Sequence, residues 1–388
     1  AKPRRNPLLA LKSILKNITV ITEKEQKSAS AAQGGLSQML SYIIVGSGYR
    51  AEYFGRIARA YPDLFRALFL CRSEEKATLM KQHTGIDATV SREACLAFRP
   101  DFAVIAVDRS HVADAAEEWL REGHPVLTET PVGDTPDKLR RLRQWEKAGA
   151  KIVCCEQYHR QPILAAGLDA IDRGLIGQPT SLYISLLHDY HAASLIRKAL
   201  QIPAGEAYTL RGIRRESTVT ETDSRYGAIL DGRTVKAARD TVFVSFASGK
   251  EAIYDFCPVQ YRSYIRSRHL IVRGSRGEWT DTVLLHLDEE NQPRQTFLLP
   301  EIPVKYRALD TQALRDERRN WQPSLAPDTV QDEFAIASIL LDMGDYLAGG
   351  PSPYPLEEAL EDAYFWLLLN RAVENPWQEI SCGVRPWE

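Results

Sequence analysis

What this chain has little of narrows it first. Its six cysteines (Cys71, Cys95, Cys154, Cys155, Cys257 and Cys382) form no C-x-x-C pair and no zinc-like spacing, so neither a redox dithiol nor a structural zinc site is expected. Most sit in apolar surroundings such as "KIVCCEQ", where a thiol packs as a small hydrophobe, and a reducing, cytoplasmic setting follows. An excess of one charge is also missing. With 49 basic against 51 acidic residues there is no electrostatic reason to expect a nucleic-acid partner. No apolar run approaches the roughly 18 residues of a membrane span, and no signal peptide is evident. Internal repeats are absent. What remains is a globular composition, 44% hydrophobic and 26% charged over 388 residues, a length that suits two domains with a core each.

The pattern divides the chain in three. Residues 1–38 open with "AKPRRNPLLALKSILKNITVI", in which Leu8, Leu11, Leu15 and Ile18 share a helical face among basic charges. A run of small and polar residues follows, so this part is read as an extension that docks locally or stays mobile. Residues 39–155 alternate short apolar runs ("YIIV", "RALFLC", "DFAVIAV", "PVLTET", "KIVCCEQ") with helical segments. Parallel strands need a helical crossover, so this is a doubly wound, Rossmann-type sheet. Over residues 156–388 the runs lengthen and alternate, as in "TVKAARDTVFVSFASG" and "KEAIYDFCPVQY", between flanking helices. An open, mainly antiparallel sheet in an α/β substrate or oligomerisation domain is expected.

The first strand ends in "GSGYRA": Gly46, Ser47, Gly48, Tyr49, Arg50, Ala51. Glycines at this turn let the backbone approach a pyrophosphate, which the free N–H groups of the next helix hold. At the end of the second strand stand Arg72 and Ser73. A guanidinium there forks onto a 2′-phosphate, where an acidic residue would bond the 2′-hydroxyl of NAD, so NADP is favoured and NAD remains an alternative with Glu74 on the ribose.

With these residues in view, residues 40 to 388 resemble the Gfo/Idh/MocA oxidoreductases. The likeness rests on "GSGYRA", on "SHVADAAEEWLREGHPVLTETP" with His111, Glu129 and Pro131, and on "EQYHRQPILAAGLDAIDRGLIGQP" with Tyr158. It implies a Rossmann domain joined to an open-sheet domain, a nicotinamide cofactor touched by these positions, hydride transfer to or from a sugar, cyclitol or imine substrate, and a homodimer or homotetramer. In the family the strand ends Glu-Lys-Pro, and here Thr130 replaces the lysine. A threonine hydroxyl donates a hydrogen bond but does not titrate near neutrality, so another group must move the proton.

The likeness matches His191 in "HDYHAASLIRK" to the family's histidine, while the family's aspartate has no counterpart and His188 or Asp189 stands nearest. A helix starting near Asp189 puts His191, Ser194 and Lys198 on one face. Histidine titrates near neutral pH, so His191 or His188 is the expected acid, helped by Tyr190, Lys198 and Tyr158, with Thr130 as a polar positioner. His159 and Arg160 are read as lining the cleft or a domain interface. A metal is not expected, because the two histidines lack further ligands. The alternative is a nucleotide-binding protein without redox turnover, a sensor or partner-binding subunit.

Overall fold

The computed structural model describes residues 39–224, 227–321 and 330–388; the reading of residues 1–38 lies outside them. Contacts divide the chain into two units. In one, the described part is Met39 and Ile302–Ala308, with a 3-10 turn at Val304–Tyr306. The other, Leu40–Glu301 with Leu309–Glu388, holds both sheets and everything below.

The first sheet contains β1 (Leu40–Val45), β2 (Phe65–Leu70), β3 (Ala88–Thr89), β4 (Phe102–Ile105), β5 (Val126–Thr128) and β6 (Ile152–Cys154). All pairs are parallel, in the order β3-β2-β1-β4-β5-β6. The connections hold α1 (Tyr49–Ala60), α2 (Glu74–Thr84), α3 (Arg92–Ala97), α4 (Val112–Arg121) and α5 (Pro136–Lys147). Helices on both faces explain why β4, β5 and β6 are buried throughout and apolar at every position but Thr128. Local chemistry sets the helix ends. Ser73 caps α2 by accepting the Lys76 N–H, and Gly85 closes it at φ 71°; Thr135 caps α5, with Pro136 in its first turn.

After α6 (Pro162–Asp172) come β7 (Pro179–Ser185), α7 (Asp189–Ala199), β8 (Tyr208–Thr220), the short pair β9 (Asp223–Ser224) and β10 (Gly227–Ala228), β11 (Thr234–Phe246), β12 (Glu251–Phe256), β13 (His269–Gly274), β14 (Gly277–Thr280), β15 (Val283–Leu287) and β16 (Pro293–Phe297). The chain closes with α8 (Thr311–Trp321), α9 (Gln331–Leu347), α10 (Leu356–Glu374) and β17 (Ile380–Ser381). The second sheet has nine strands, β16-β15-β14-β13-β7-β12-β11-β8-β17, antiparallel except for the pair β7 and β12. Strict alternation marks it as half-covered: Ala252, Tyr254 and Phe256 of β12 are buried, while Glu251 between them and the turn is exposed. Leu182, Ile184, Val242, Val244 and Phe365 join them in one core. The fold class is the one expected, a Rossmann-type parallel sheet with a larger, mainly antiparallel one.

The last helices tie the two sheets together. Helix α9 packs on α1 and α10 packs on α7, β8 and α5. Lys151 Nζ donates to the carbonyls of Tyr346 and Leu347, each at 3.2 Å. At its other end α9 brings Asp332 to 3.9 Å from Arg50, near the carboxyl ends of the first sheet's strands.

Candidate functional site

In the first sheet the strand order reverses between β1 and β4, and ligands of such sheets bind outside the carboxyl ends of the strands at that point. The register aligns those ends: Val45 pairs with Ile105, Ile105 with Thr128, and Thr128 with Cys154. Gly46 leaves β1 at φ 133°, and a β-carbon there would lie 2.2 Å from the Ala106 carbonyl oxygen, so only glycine fits between β1 and β4. Gly48 is the N-cap of α1 with extended backbone, and nothing stands within 4 Å of where its β-carbon would be. The helix start is therefore open to an anion, and Ala51, buried on the sheet, allows the close packing behind it. These residues fit a dinucleotide. Ser47 belongs to the same open turn, and Tyr49 accepts a hydrogen bond from Arg262 at 3.3 Å, which brings the turn after β12 over the glycine turn.

At the second strand's end Cys71 is buried while Arg72 and Ser73 are exposed. The Ser73 oxygen is already occupied as the α2 cap. His111, at the N-cap of α4, is also exposed.

Past β5, Glu129 stays in the sheet by donating its N–H to the Ile105 carbonyl at 2.9 Å, and the Thr130–Pro131 bond is cis. Arg50 and Glu129, both expected on a cofactor, are partners of each other: the Arg50 guanidinium reaches Glu129 Oε1 at 2.9 Å, with Asp332 of α9 at 3.9 Å. Thr130 Oγ1 is buried and has no hydrogen-bond partner among the described residues. It lines a small cavity with Cys154, Glu156, Tyr190 and Asp362.

The helix that carries the candidate histidines begins at Asp189, as the spacing predicts. His188 is its N-cap and stacks at 4.8 Å on Tyr261, with Tyr190 at 6.0 Å on the same line of rings. Asp189 is fixed by Trp366 of α10, whose indole N–H donates to it at 2.7 Å. His191 is 6% exposed. Its Nδ1 lies 2.7 Å from Glu156 Oε2, and its ring packs at 4.5 Å against both Tyr158 and Tyr190. Glu156 Oε1 accepts the Tyr158 N–H at 3.1 Å.

One premise of the sequence reading is overturned here. His191 does not titrate near neutrality: burial, with the Arg50 charge second, pushes its pKa down to about 3. Burial, reinforced by the Glu129 charge, pushes Glu156 in the other direction, well above the carboxylate range. Both shifts favour one arrangement, in which neutral imidazole and un-ionised carboxyl share a proton across 2.7 Å. Tyr190 is pushed up to about 12 by burial and keeps its proton.

Lys198 shares the His191 face but belongs to another group. Its ammonium lies 5.0 Å over the Tyr354 ring, Ser194 meets the Tyr354 hydroxyl at 3.1 Å, and that hydroxyl donates to Asp362, which also binds Arg197 at 2.7 Å. His159 packs at 5.2 Å on Tyr354. Arg160 bridges to Asp342 of α9 at 2.6 Å, a structural tie between elements. Sequence reasoning did not single out Glu156, Tyr261, Arg262, Asp332 or Trp366. For Glu156 a signal existed: an acid directly after the apolar strand "KIVCC".

The sequence matches no protein-family model, and no curated protein matches it. Solved structures do match in fold. An oxidoreductase from Agrobacterium radiobacter in complex with NAD+, L-tartaric acid and magnesium has TM-score 0.65 at 13% identity, over 88% of this chain and 98% of that one. An NAD-binding oxidoreductase from Klebsiella pneumoniae has TM-score 0.63 at 15% identity, over 89% and 99%. The WlbA dehydrogenase from Chromobacterium violaceum, in complex with NADH and UDP-GlcNAcA, has TM-score 0.61 at 13% identity, over 90% and 97%. At such identities the likeness carries the fold alone.

Proposed function

We propose that this chain is a nicotinamide-dependent oxidoreductase of Gfo/Idh/MocA type. It would move hydride between the cofactor and an oxygen-bearing carbon of a sugar or cyclitol, or an imine carbon, with the proton passing through His191. The observation that supports this best is the buried His191–Glu156 pair, 2.7 Å apart, held beside the carboxyl ends of β5 and β6 on a sheet whose glycine turn fits a dinucleotide. When bound, the cofactor supplies or accepts the hydride. The protein's own part is to hold the pyrophosphate at the α1 N-terminus, to keep Thr130 as a hydrogen-bond donor at the strand end, and to exchange one proton at His191 Nε2. His188, stacked between Tyr261 and Tyr190, positions the substrate. The test is NADPH or NADH oxidation followed by absorbance against ketoses, inososes and cyclic imines. Tight cofactor binding with no turnover on any of them would move the reading to a nucleotide-binding protein without redox chemistry.

Arg72 and Ser73 support NADP as the preferred form. Arg72 has no ion pair among the described residues, so its guanidinium is available to a 2′-phosphate. Arg72→Ala is expected to weaken NADPH binding by about 10- to 100-fold, the loss of one charge-assisted contact worth about 1.5–3 kcal/mol. NADH binding should be unchanged. Equal losses for both, in a fluorescence titration, would return the choice to NAD.

The uncovered face of the second sheet supports self-association as a homodimer or homotetramer. Cross-strand register lines up Phe243, Ile253, Tyr183, Ile271, Thr280, Val283 and Phe297 in one row, apolar but for Thr280 and the Tyr183 hydroxyl, with Phe297 63% exposed. Light scattering should give a multiple of 43.7 kDa, and Phe243→Glu should return the mass to one chain. The free cysteines, five of the six buried, support a reducing compartment. Among the described residues no helix is long and apolar enough to cross a membrane.

A further inference from the structure

We propose that Glu156 is the positioning and proton-holding residue behind His191, and that this pair takes over the task of the lysine that Thr130 replaces. The inference rests on the oxidoreductase reading above and adds to it a residue, a direction of proton flow and a pH signature.

The geometry is that of a relay. Glu156 Oε2 lies 2.7 Å from His191 Nδ1, and Glu156 Oε1 is held by the Tyr158 N–H, so the carboxyl cannot turn away. Tyr158 and Tyr190 both pack on the imidazole with ring centroids at 4.5 Å. Its Nε2 makes no hydrogen bond among the described residues, which leaves that atom for a substrate oxygen. Glu156 also lines the small cavity behind Thr130, together with Asp362. Other groups face the pair from each packed element: Arg50 of α1, Glu129 after β5, Cys154 and Cys155 at β6, Asp332 of α9, and Asp189 and Lys198 of α7. Burial is the leading cause that disfavours the charged form of both groups, so with the imidazole neutral and the carboxyl 2.7 Å from Nδ1 the resting proton belongs on Glu156.

When hydride reaches a carbonyl carbon, the π pair moves to oxygen; the oxygen takes the proton from His191 Nε2, and the Glu156 proton moves to Nδ1. Imidazole ends neutral in its other tautomer, and Glu156 ends as a carboxylate hydrogen-bonded to Nδ1–H. Oxidation of an alcohol runs the same transfers backwards. No imidazolium is needed at any point, which is what a histidine buried to this degree requires.

Two measurements test this. Infrared difference spectra of the cofactor-free protein at about pH 7, wild type minus Glu156→Gln, should show the carbonyl stretch of an un-ionised carboxyl; an ionised carboxylate signal instead overturns the proposal whatever the substrate. In the reducing direction, turnover should fall as pH rises through the Glu156 pKa. Glu156→Gln should lose that limb and drop kcat about 10- to 100-fold, with KM little changed. Glutamine is isosteric with the protonated acid, and a melting curve checks folding; His191→Gln removes the group that touches substrate and should lose at least as much as Glu156→Gln, and the double variant should match His191→Gln, because Glu156 acts only through the imidazole. Wild-type kcat and pH profile in Glu156→Gln would overturn the relay and leave the oxidoreductase reading standing. Failure of the wild type to turn over any substrate would sink that reading, while the infrared result still decides where the proton rests.

Discussion

His191→Ala should lower turnover by about 10²- to 10⁴-fold, the range for removing a positioned acid or base, while cofactor affinity stays close to wild type. The reason for the separation is spatial. The glycine turn that fits the pyrophosphate belongs to β1 and α1, whereas His191 is on α7, which packs on β7 and α10. The variant leaves Glu156 un-ionised and short of one hydrogen bond, at a stability cost of about 1–3 kcal/mol, so the protein should still fold. A pH series adds a second check. The His191 pKa is depressed in the fold, to about 3 from an ordinary 6.5, so the unfolded chain binds the extra proton first as pH falls. The stability that neutral His191 contributes is then fully present above about pH 6.5 and is lost as pH drops toward 3. His191→Ala lacks this loss, and the two melting curves should converge on the acid side. Full turnover in the variant, on a substrate that the wild type uses, would remove His191 from the reaction.

The parts legible in the sequence are those fixed by local chemistry. A glycine turn after an apolar run and the start of α7 near Asp189 each depend on neighbours a few residues away, and each is where the pattern puts it. The parallel sheet is legible for the same reason, since its strands are short apolar runs between helices. Strand β8 is not. "YTLRGIRRESTVT" carries charge at Arg211, Arg214, Arg215 and Glu216, and it is a strand because β11 pairs with it from Tyr208 to Thr220 while its outer face meets no other layer. The protonation of the site is hidden for a related reason. His191 looks like a free titrating histidine until Glu156 from after β6, Arg50 from α1 and the flanking tyrosines close around it. Arg50 and Glu129 likewise read as two separate cofactor contacts, and only the packing of α1 over the β5 end makes them partners. Burial and long-range charge decide pKa, and neither is written in a local motif.

Gly46→Ala should damage both fold and binding, and the contrast with Gly48→Ala separates the two effects. At position 46 a methyl would stand 2.2 Å from the Ala106 carbonyl oxygen, at a φ of 133° that L-residues avoid. Ala106 donates its N–H to Val45 at 2.9 Å, so relief requires β1 and β4 to part at the reversal point of the sheet. Backbone strain and the forced shift together should cost about 2–4 kcal/mol, seen as a lower melting temperature, with dinucleotide affinity down by about 30-fold or more. Gly48 has φ −95° and open space around it, so alanine there meets no steric clash in the fold and the melting curve should barely move. Its methyl would instead occupy the volume over the first N–H groups of α1, where the pyrophosphate is proposed to sit. Gly48→Ala should therefore bind NADPH at least tenfold more weakly while melting like wild type. If it binds as tightly as wild type, the α1 N-terminus does not hold the phosphates, and the dinucleotide reading of "GSGYRA" loses its main physical support.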